Sequence, residues 1–283
     1  MKNVVDILSS VGSFPSPEAR PEPSADAGIP FRYILSASIL IFALMLALSA
    51  LKMKSFDYGL THLLNSAAGH SVILDDSMRV ITREMFSNLL LVTLVWYAWF
   101  NTEDTDARAK ILLGVIISYI AGSLSRVIQL GFPAHPRPLH DAALHFRRPL
   151  GVDPDIYSHW SSFPSDHATV FFGLAATVFI VNRKLGRIGF LLASVLALAR
   201  VYNGYHYPTD VIGGAMLGII FVGLTQNWKN SRIIQRLMAS EANRKPVFYA
   251  AAFYVSFGVA TLFNDYRAVG AGAAHILKTH FQH

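Results

Sequence analysis

The sequence predicts an all-α fold, a polytopic membrane helix bundle, from its composition and from the length of its apolar segments. Of its 283 residues, 53% are hydrophobic and only 15% are charged, which is below the ~25% charge that is typical of soluble domains. Runs of about 18 or more apolar residues with few charges indicate membrane-spanning helices. Cysteine is absent, which excludes disulfides, zinc–thiolate sites and cysteine nucleophiles.

Seven apolar segments predict the membrane-spanning helices. They cover about residues 33–51, 85–100, 111–131, 168–182, 187–203, 209–227 and 247–264. The second and the fourth are short for a span. We therefore expect a core of six helices, followed by a seventh, C-terminal helix.

The stretches outside these segments divide the chain into three parts. Residues 1–30 hold five prolines among Ser, Ala and Glu, which predicts a flexible cytoplasmic tail, and no signal-peptide core precedes a cleavage site. Residues 31–227 form the predicted membrane-integral domain, with an amphipathic helix in the interfacial segment 52–84 and a polar loop at 132–166. Residues 228–283 hold a cytoplasmic basic loop, the additional helix and a C-terminal tail.

The basic residues predict how the bundle is oriented. If the N-terminal tail is cytoplasmic and seven helices alternate, the cytoplasmic segments hold Lys2, Arg20, Arg32, Arg108, Lys110, Arg183, Lys184, Arg187, Lys229, Arg232, Arg236, Arg244 and Lys245. This excess satisfies the positive-inside rule and puts loop 132–166 on the outer face. The net charge of +6 is no evidence for nucleic-acid binding, because the basic residues form no stripe on a soluble domain.

Two arginines near that loop are candidate anion ligands. Arg126 lies late in the third span, where an ionised side chain costs roughly 2.5–3.5 kcal/mol on insertion scales, so an inward-facing functional group is one interpretation. A snorkelling side chain at the interface is the other. Arg137 lies between two prolines that restrict its backbone. A rigidly held guanidinium suits phosphate, because its planar fork donates two parallel hydrogen bonds.

The polar loop ends at Ser165-Asp166-His167, directly before an apolar segment. Ser165 is a candidate helix N-cap, and the backbone N–H groups of Asp166 and His167 would then favour an anion at the helix start. His167 would lie beside that anion. In isolation, helix capping alone is the commoner explanation of a Ser-Asp pair.

The fifth and sixth spans are joined by a turn with a second histidine. Arg200 closes one helix, His206 lies in the turn, and Asp210 opens the next helix after Pro208. A carboxylate bonded to one imidazole nitrogen fixes the tautomer that leaves the other nitrogen able to attack. A structural histidine is the alternative, which the spacing from Arg200 to Asp210 makes less attractive.

Taken together, these three blocks resemble the type 2 phosphatidic acid phosphatase and vanadium haloperoxidase superfamily. Its pattern is a Lys seven positions before Arg-Pro, then Pro-Ser-Gly-His, then Ser-Arg with five residues to His and three more to Asp. The matching residues are Arg137-Pro138, Pro164-Ser165-Asp166-His167, and Ala199-Arg200 through His206 to Asp210. The resemblance covers roughly residues 111–227.

Three departures from the pattern concern its phosphate ligands. Leu130 stands at the lysine position, and we expect Arg126, four residues earlier, to replace that lysine. Asp166 stands where the pattern has Gly, so its carboxylate must point away or pair with a base such as Arg147 or Arg148. Ala199 replaces Ser, which removes a minor hydrogen bond.

The resemblance implies a membrane lipid phosphatase that needs no cofactor and no metal. It implies that His206, oriented by Asp210, attacks phosphorus to give a phosphohistidine, and that His167 protonates the leaving oxygen and then activates water. The implied phosphate ligands are Arg126, Arg137, Ser165, the backbone N–H of Asp166, and Arg200. Fixed positive groups of this kind stabilise charge on the phosphate oxygens.

The substrate that we expect is a polyprenyl diphosphate such as the undecaprenyl carrier, at the outer face of a bacterial inner membrane. Candidate contacts to a second phosphate are Arg147, Arg148, His140 and His159, although the two arginines could equally contact anionic headgroups. Phosphatidic acid, phosphatidylglycerol phosphate and lipid A are alternative substrates. Lipid phosphotransfer and non-catalytic lipid binding or transport are alternative functions.

Overall fold

The computed structural model describes residues 31–51, 53–131, 135–158 and 160–260, without the side chains of 84, 85 and 258–260. These residues form ten α-helices and no strand, which confirms the predicted all-α class. The helices are α1 (Phe31–Ala50), α2 (Ser55–Asn65), α3 (Val72–Ile81), α4 (Glu84–Phe100), α5 (Thr105–Gly131), α6 (Asp166–Val181), α7 (Arg183–Tyr202), α8 (Pro208–Thr225), α9 (Arg232–Asn243) and α10 (Lys245–Ala260). Short 3-10 turns lie at Pro138–His140, Ala142–Leu144 and Gln226–Asn230.

Four of the described helices are long and apolar enough to cross a membrane. These are α1, α5, α7 and the continuous stretch Pro208–Asn230, which includes α8. The apolar helices Phe86–Phe100 and Asp166–Val181 are shorter, as predicted for the second and fourth spans. The end of the seventh predicted span lies outside the described residues, as do the tails 1–30 and 261–283.

Two helices begin earlier than their apolar segments. The prediction placed these starts at residues 111 and 187, whereas α5 begins at Thr105 and α7 at Arg183. Before α7, the side chain of Asn182 accepts a hydrogen bond from the backbone N–H of Leu185 at 3.1 Å. A capped polar first turn extends a helix beyond the apolar residues that reveal it in the sequence.

Helix α6 lies at the centre of the bundle. It packs against α5, α7 and α8, and its buried residues include the consecutive run Leu174, Ala175, Ala176, Thr177 and Val178, which covers all faces of the helix. A helix that is buried on all sides lies in the interior of the bundle. The N-terminal turn of α6 is therefore held by neighbours on several sides.

Two glycines bring the backbone of α8 into contact with α6. A Cβ atom at Gly214 would lie 2.3 Å from the carbonyl oxygen of Ser165, and one at Gly218 would lie 2.1 Å from that of Thr169. Small residues four positions apart allow this close approach between membrane helices. The first turns of both helices are thereby placed side by side, and the N–H of Ser165 donates to the carbonyl oxygen of Asp210 at 2.9 Å.

The segment between the first two spans forms two helices, so the prediction of one amphipathic helix is wrong. Gly69 lies between α2 and α3 with φ of +74°, a conformation that glycine adopts without the steric strain of a side chain. The carboxylate of Asp57 in α2 accepts hydrogen bonds from the backbone N–H of Thr209 at 2.9 Å and from its hydroxyl at 2.7 Å. Helix α2 thus binds the start of α8.

Helix α3 is fixed to the polar loop by a second buried carboxylate. Asp75 accepts hydrogen bonds from the backbone N–H of Gly69 at 3.1 Å and of Leu150 at 2.9 Å, and from the hydroxyl of Tyr202. These bonds join α3 to the loop and to the end of α7. The segment therefore covers the polar end of the bundle, at the side where the loop lies.

The seventh predicted span is present as α10, which packs against α4. The indole N–H groups of Trp96 and Trp99 donate to Ser256 at 3.0 Å and to Tyr249 at 3.1 Å. Buried indoles satisfy their single donor in this way. These bonds fix the position of α10 beside the core of six helices.

Asp141 joins the loop to α2, and we expect it to contribute to stability. One of its carboxylate oxygens accepts hydrogen bonds from Lys54, Tyr58 and Tyr207, each at 2.7 Å. Burial alone would raise the pKa of Asp141, but these bonds outweigh it and lower the pKa to about 2. Because the folded-state pKa is lowered, this stabilisation is complete above the ordinary value of 3.8 and is lost as the pH falls towards 2.

The substitution Asp141→Asn is expected to lower the free energy of unfolding by about 1–3 kcal/mol at pH 7, because buried donors lose a charged acceptor. Thermal unfolding in detergent, followed by tryptophan fluorescence, measures this change. The difference from the wild type is expected to shrink below pH 4. Asp76→Asn is the control, since its 2.7 Å pair with Arg79 is half exposed and contributes little. Equal melting temperatures for wild type and Asp141→Asn would refute the expectation.

Candidate active site

The chemistry-bearing residues from the three sequence blocks meet at the polar end of the bundle. Arg137 comes from the loop, His167 from the first turn of α6, Arg200 from the last turn of α7, and His206 from the turn before α8. Each of these four side chains belongs to a residue that is at most 3% exposed. Buried cationic and titratable groups are gathered here within a low-dielectric environment.

His206 is held with a defined tautomer. Its Nδ1 atom lies 3.0 Å from the carbonyl oxygen of Ser162, and because a carbonyl only accepts hydrogen bonds, Nδ1 carries the proton. The lone pair is therefore on Nε2, which lies 3.2 Å from Nη1 of Arg137. The sequence predicted that Asp210 would make the orienting bond, but its nearest oxygen is 3.7 Å from Nδ1.

The surroundings of His206 keep its ring neutral. Burial, and then the positive charges of Arg137 and Arg200, hold the pKa of His206 well below its usual range. Both effects act in the same direction, because a low dielectric and nearby cations each disfavour the imidazolium. A buried, neutral imidazole with its lone pair beside a guanidinium is suited to act as a nucleophile.

Asp210 shapes the turn that carries His206. One of its carboxylate oxygens accepts a hydrogen bond from the backbone N–H of Tyr207 at 2.7 Å, which caps α8. Its other oxygen lies 3.7 Å from Nδ1 of His135. His135 in turn contacts the hydroxyl of Ser162 at 2.5 Å. Asp210 thus lies between two histidines and supports His206 mainly through the backbone.

Ser165 caps α6, as predicted, and its side chain accepts a hydrogen bond from the N–H of Ala168 at 3.3 Å. The carboxylate of Asp166 lies at the same helix start. One of its oxygens is 2.9 Å from both the backbone nitrogen and the Nδ1 atom of His167. The other lies 3.4 Å from Nη1 of Arg126. The N–H of His167, which was predicted to face an anion, therefore binds this carboxylate.

The expected pairing of Asp166 with Arg147 or Arg148 is wrong, because Arg126 and His167 lie closer to that carboxylate. The guanidinium of Arg147 lies 3.4 Å from the carbonyl oxygen of Ala68 and contacts His70, so it is directed towards the α2–α3 turn. Arg148 is exposed.

The other predicted headgroup contacts are differently placed. Nε2 of His140 lies 2.8 Å from the carbonyl oxygen of Ile156, which ties two parts of the loop together. His159 lies outside the described residues.

The three arginines among the phosphate-binding candidates are all held by neighbouring groups. Arg126 stacks over the Trp160 ring at 4.5 Å. Arg137 donates to the carbonyl oxygens of Tyr205 at 2.5 Å and Ser161 at 3.3 Å, and burial lowers its pKa to about 10, so it stays charged at neutral pH. Arg200 donates to the carbonyl oxygen of Thr82 at 3.4 Å. Preorganised guanidinium groups such as these can stabilise a phosphoryl group in transfer.

Sequence reasoning missed several residues that hold the site. They are Asp57, His135, Trp160, Ser162 and Gln129, whose side-chain amide donates to the carbonyl oxygen of Pro164 at 2.6 Å. Their partners are distant in sequence or are backbone atoms. Within the described residues, no group of three or more His, Asp or Glu side chains could hold a metal ion.

Comparison with known proteins places this geometry in context. Residues 109–234 match the PAP2 superfamily. The chain is 29% identical over 143 residues to the bacitracin transport permease protein BcrC of Bacillus licheniformis, and this match covers 48% of this chain and 63% of that protein. It is 28% identical over 163 residues to the undecaprenyl-diphosphatase BcrC of Bacillus subtilis (strain 168), and this match covers 58% of this chain and 75% of that protein.

A third relative is the putative undecaprenyl-diphosphatase YbjG of Escherichia coli (strain K12), 30% identical over 142 residues, or 50% of this chain and 66% of that protein. Among solved structures, the transmembrane PAP2 type phosphatidylglycerolphosphate phosphatase from Bacillus subtilis has a TM-score of 0.50 and 22% identity, covering 71% of this chain and 98% of that one. That likeness concerns the fold. Together with the four described helices that are long and apolar enough to cross a membrane, this fold indicates that the chain is an integral membrane protein.

Proposed function

We propose that this chain, whose residues 109–234 match the PAP2 superfamily, is a membrane-integral phosphatase that releases phosphate from a lipid phosphate or diphosphate. The observation that carries the proposal is the buried, neutral His206, whose Nδ1–H is directed to Ser162 and whose Nε2 lies beside Arg137. A nucleophile held next to a phosphate ligand is what phosphoryl transfer to histidine requires.

In the first step, Nε2 of His206 attacks phosphorus. A P–N bond forms, the P–O bond to the lipid breaks, and the leaving oxygen takes a proton from His167. In the second step, water attacks the phosphohistidine, His167 takes a proton from that water, and the P–N bond breaks to release phosphate. One group can serve as the general acid in the first step and as the general base in the second, because the second step reverses the proton transfer of the first.

The positive groups around His206 act on the phosphate oxygens in both steps. We assign this role to Arg126, Arg137 and Arg200, with Ser165 and the backbone N–H of Asp166 at the start of α6. Negative charge is favoured at a helix N-terminus by the helix dipole. Since these groups are already positioned by the hydrogen bonds of the fold, little reorganisation accompanies the reaction.

The substrate that we propose is a polyprenyl diphosphate. Two of the relatives bear the name undecaprenyl-diphosphatase, and exposed Arg148 offers a cation outside the buried cluster. We further propose that the site faces the outer side of a bacterial inner membrane. The basic residues Arg108, Lys110, Arg183 and Lys184 lie at the opposite end of the helices that carry the site, as the positive-inside rule requires.

Phosphate release by the purified protein in detergent tests the proposal. Undecaprenyl diphosphate, phosphatidic acid, phosphatidylglycerol phosphate and lipid A are supplied separately, without added metal and with a chelator. We expect the highest kcat/KM for the polyprenyl diphosphate. Mass spectrometry of the lipid products separates hydrolysis from transfer to a second lipid. Binding of these lipids without turnover would overturn the proposal and favour a transport function.

The pH dependence of the rate is a second expectation. Because the pKa of His206 is held well below its ordinary value of 6.5, the nucleophile stays neutral on the acidic side of that value. We therefore expect the acidic fall in kcat/KM to begin below about pH 6. Rates measured from pH 4 to 9 check this. A rate that keeps rising through neutral pH would contradict the neutral state of His206.

A further inference from the structure

Two of the three departures from the family pattern bring side chains into direct contact. Asp166 stands where the pattern has glycine, and Arg126 lies four residues before the lysine position. The two side chains approach to 3.4 Å, and they are 13% and 23% exposed. Leu130, at the lysine position itself, is 70% exposed and so is not part of the buried cluster. The acid and the base that are new to this site therefore form one pair.

The same carboxylate also holds His167. One oxygen of Asp166 lies 2.9 Å from Nδ1 of His167 and 2.9 Å from its backbone nitrogen. A carboxylate only accepts hydrogen bonds, so Nδ1 carries a proton and any transfer to or from the substrate uses Nε2. The Phe171 ring lies edge-on to the imidazole, with centroids 6.0 Å apart.

We propose that Asp166 is a positioning residue that fixes the ring of His167 for proton transfer through Nε2 and holds Arg126 beside the phosphate. This inference rests on the proposed phosphatase function. It gives a specific role to a carboxylate that would otherwise repel the substrate in a phosphate pocket.

The chemistry of the two steps supports this role. When His167 takes a proton from water it becomes an imidazolium, and the adjacent carboxylate stabilises that charge. The contacts of Arg126 to Asp166 and to Gln129 both use Nη1. Its Nη2 and Nε atoms then belong to the face that meets a phosphate oxygen. Asp166 thus binds one edge of the guanidinium and leaves the other edge to the substrate.

A pair of substrates with the same tail can separate positioning of the acid from a general structural role. The probes are one isoprenoid alcohol supplied as its monophosphate and as its diphosphate. Cleavage of the monophosphate expels an alkoxide, which needs a proton, whereas cleavage of the diphosphate expels a phosphate monoester, which needs one much less. General acid catalysis contributes about 10²–10⁴-fold where the proton is required.

We expect Asp166→Asn to lower kcat for the monophosphate by roughly 10- to 100-fold, and kcat for the diphosphate by a clearly smaller factor. Asp166→Gly, which restores the residue of the family pattern, is also expected to lose more kcat on the monophosphate than on the diphosphate. Asp153→Asn is the matched control, because Asp153 is exposed and its carboxylate accepts from the backbone N–H of Asp155 at 3.0 Å. Its rates are expected to equal those of the wild type.

A double-mutant cycle tests the link to His167 on whichever substrate turns over. In a His167→Ala background, Asp166→Asn is expected to change the rate less than about twofold, since residues acting as a unit are non-additive. Equal losses on both substrates, or multiplicative losses in the cycle with unchanged melting temperature, would overturn the role of Asp166. Failure of the wild type to release phosphate from either substrate would instead refute the phosphatase function itself.

Discussion

Replacement of His206 by glutamine is expected to reduce phosphate release by about 10⁴-fold or more, while lipid binding persists. The glutamine amide can still donate to the Ser162 carbonyl that now accepts from Nδ1 at 3.0 Å, but it has no nucleophilic lone pair. Turnover of the preferred lipid in detergent measures the loss. Binding of the same lipid to the variant measures what remains of the anion site.

His62→Gln is the matched control for this loss, because His62 is exposed on α2. Its turnover is expected to match that of the wild type. In addition, substrate labelled in its terminal phosphate and quenched in alkali is expected to leave the label on position 206 of the wild-type protein. Label recovered on another residue, or turnover that survives His206→Gln, would show that the nucleophile has been wrongly assigned.

Replacement of Gly218 by valine is expected to cause the largest loss of stability, about 3 kcal/mol or more. A Cβ atom there would lie 2.1 Å from the carbonyl oxygen of Thr169 and 2.9 Å from the backbone nitrogen of Gly173. Backbone atoms inside a helix cannot move aside as a flexible side chain can, so α8 must move away from α6. Because both helices carry the site, activity is expected to fall with stability.

Gly59→Val provides the comparison, since a Cβ atom at Gly59 in α2 meets nothing within 4 Å. Valine is a better helix former than glycine, so this variant is expected to melt no lower than the wild type. Thermal unfolding in detergent and size-exclusion chromatography of both variants measure the difference. If Gly218→Val melted at the temperature of Gly59→Val, the close backbone contact between α6 and α8 would be refuted.

Most of the helical framework was predictable because the bilayer imposes a length on each apolar segment. As far as the structure describes them, the seven segments appear as helices, and the short fourth span is the central α6. The starts of α5 and α7 were not predictable from apolarity, since both helices extend into polar turns. The division of 52–84 into α2 and α3 depends on the conformation of Gly69, and hydrophobic periodicity carries no information about a local turn of this kind.

The candidate site was predictable as far as local spacing reaches. Arg200, His206 and Asp210 fall at the end of one helix, in a turn and at the start of the next, and that alone places them together. Their detailed partners were not predictable, because His206 is oriented by a backbone carbonyl that no residue type reveals. The pairing of Asp166 with Arg126 likewise joins α6 to α5 across distant parts of the sequence.

The sequence also carries a signal for the close contact that α8 makes. Gly214 and Gly218 form a small-residue pair four positions apart within an apolar segment, a pattern that predicts close helix packing in membranes. The pair begins four residues after Asp210, so it predicts that the first half of α8 touches another helix. The structure identifies that helix as α6.

The carboxylates of α2 and α3 have a consequence for how the protein can be divided. Asp57 and Asp75 hold Thr209 and Tyr202, yet both acids precede residue 109, where the match to the family begins. A chimaera that receives only residues 109–234 would contain the reacting side chains but would lack the hydrogen bonds from Asp57 and Asp75 that hold their helices in position. Grafts of this activity onto another scaffold therefore have to begin near Lys54, at the edge of the first membrane helix.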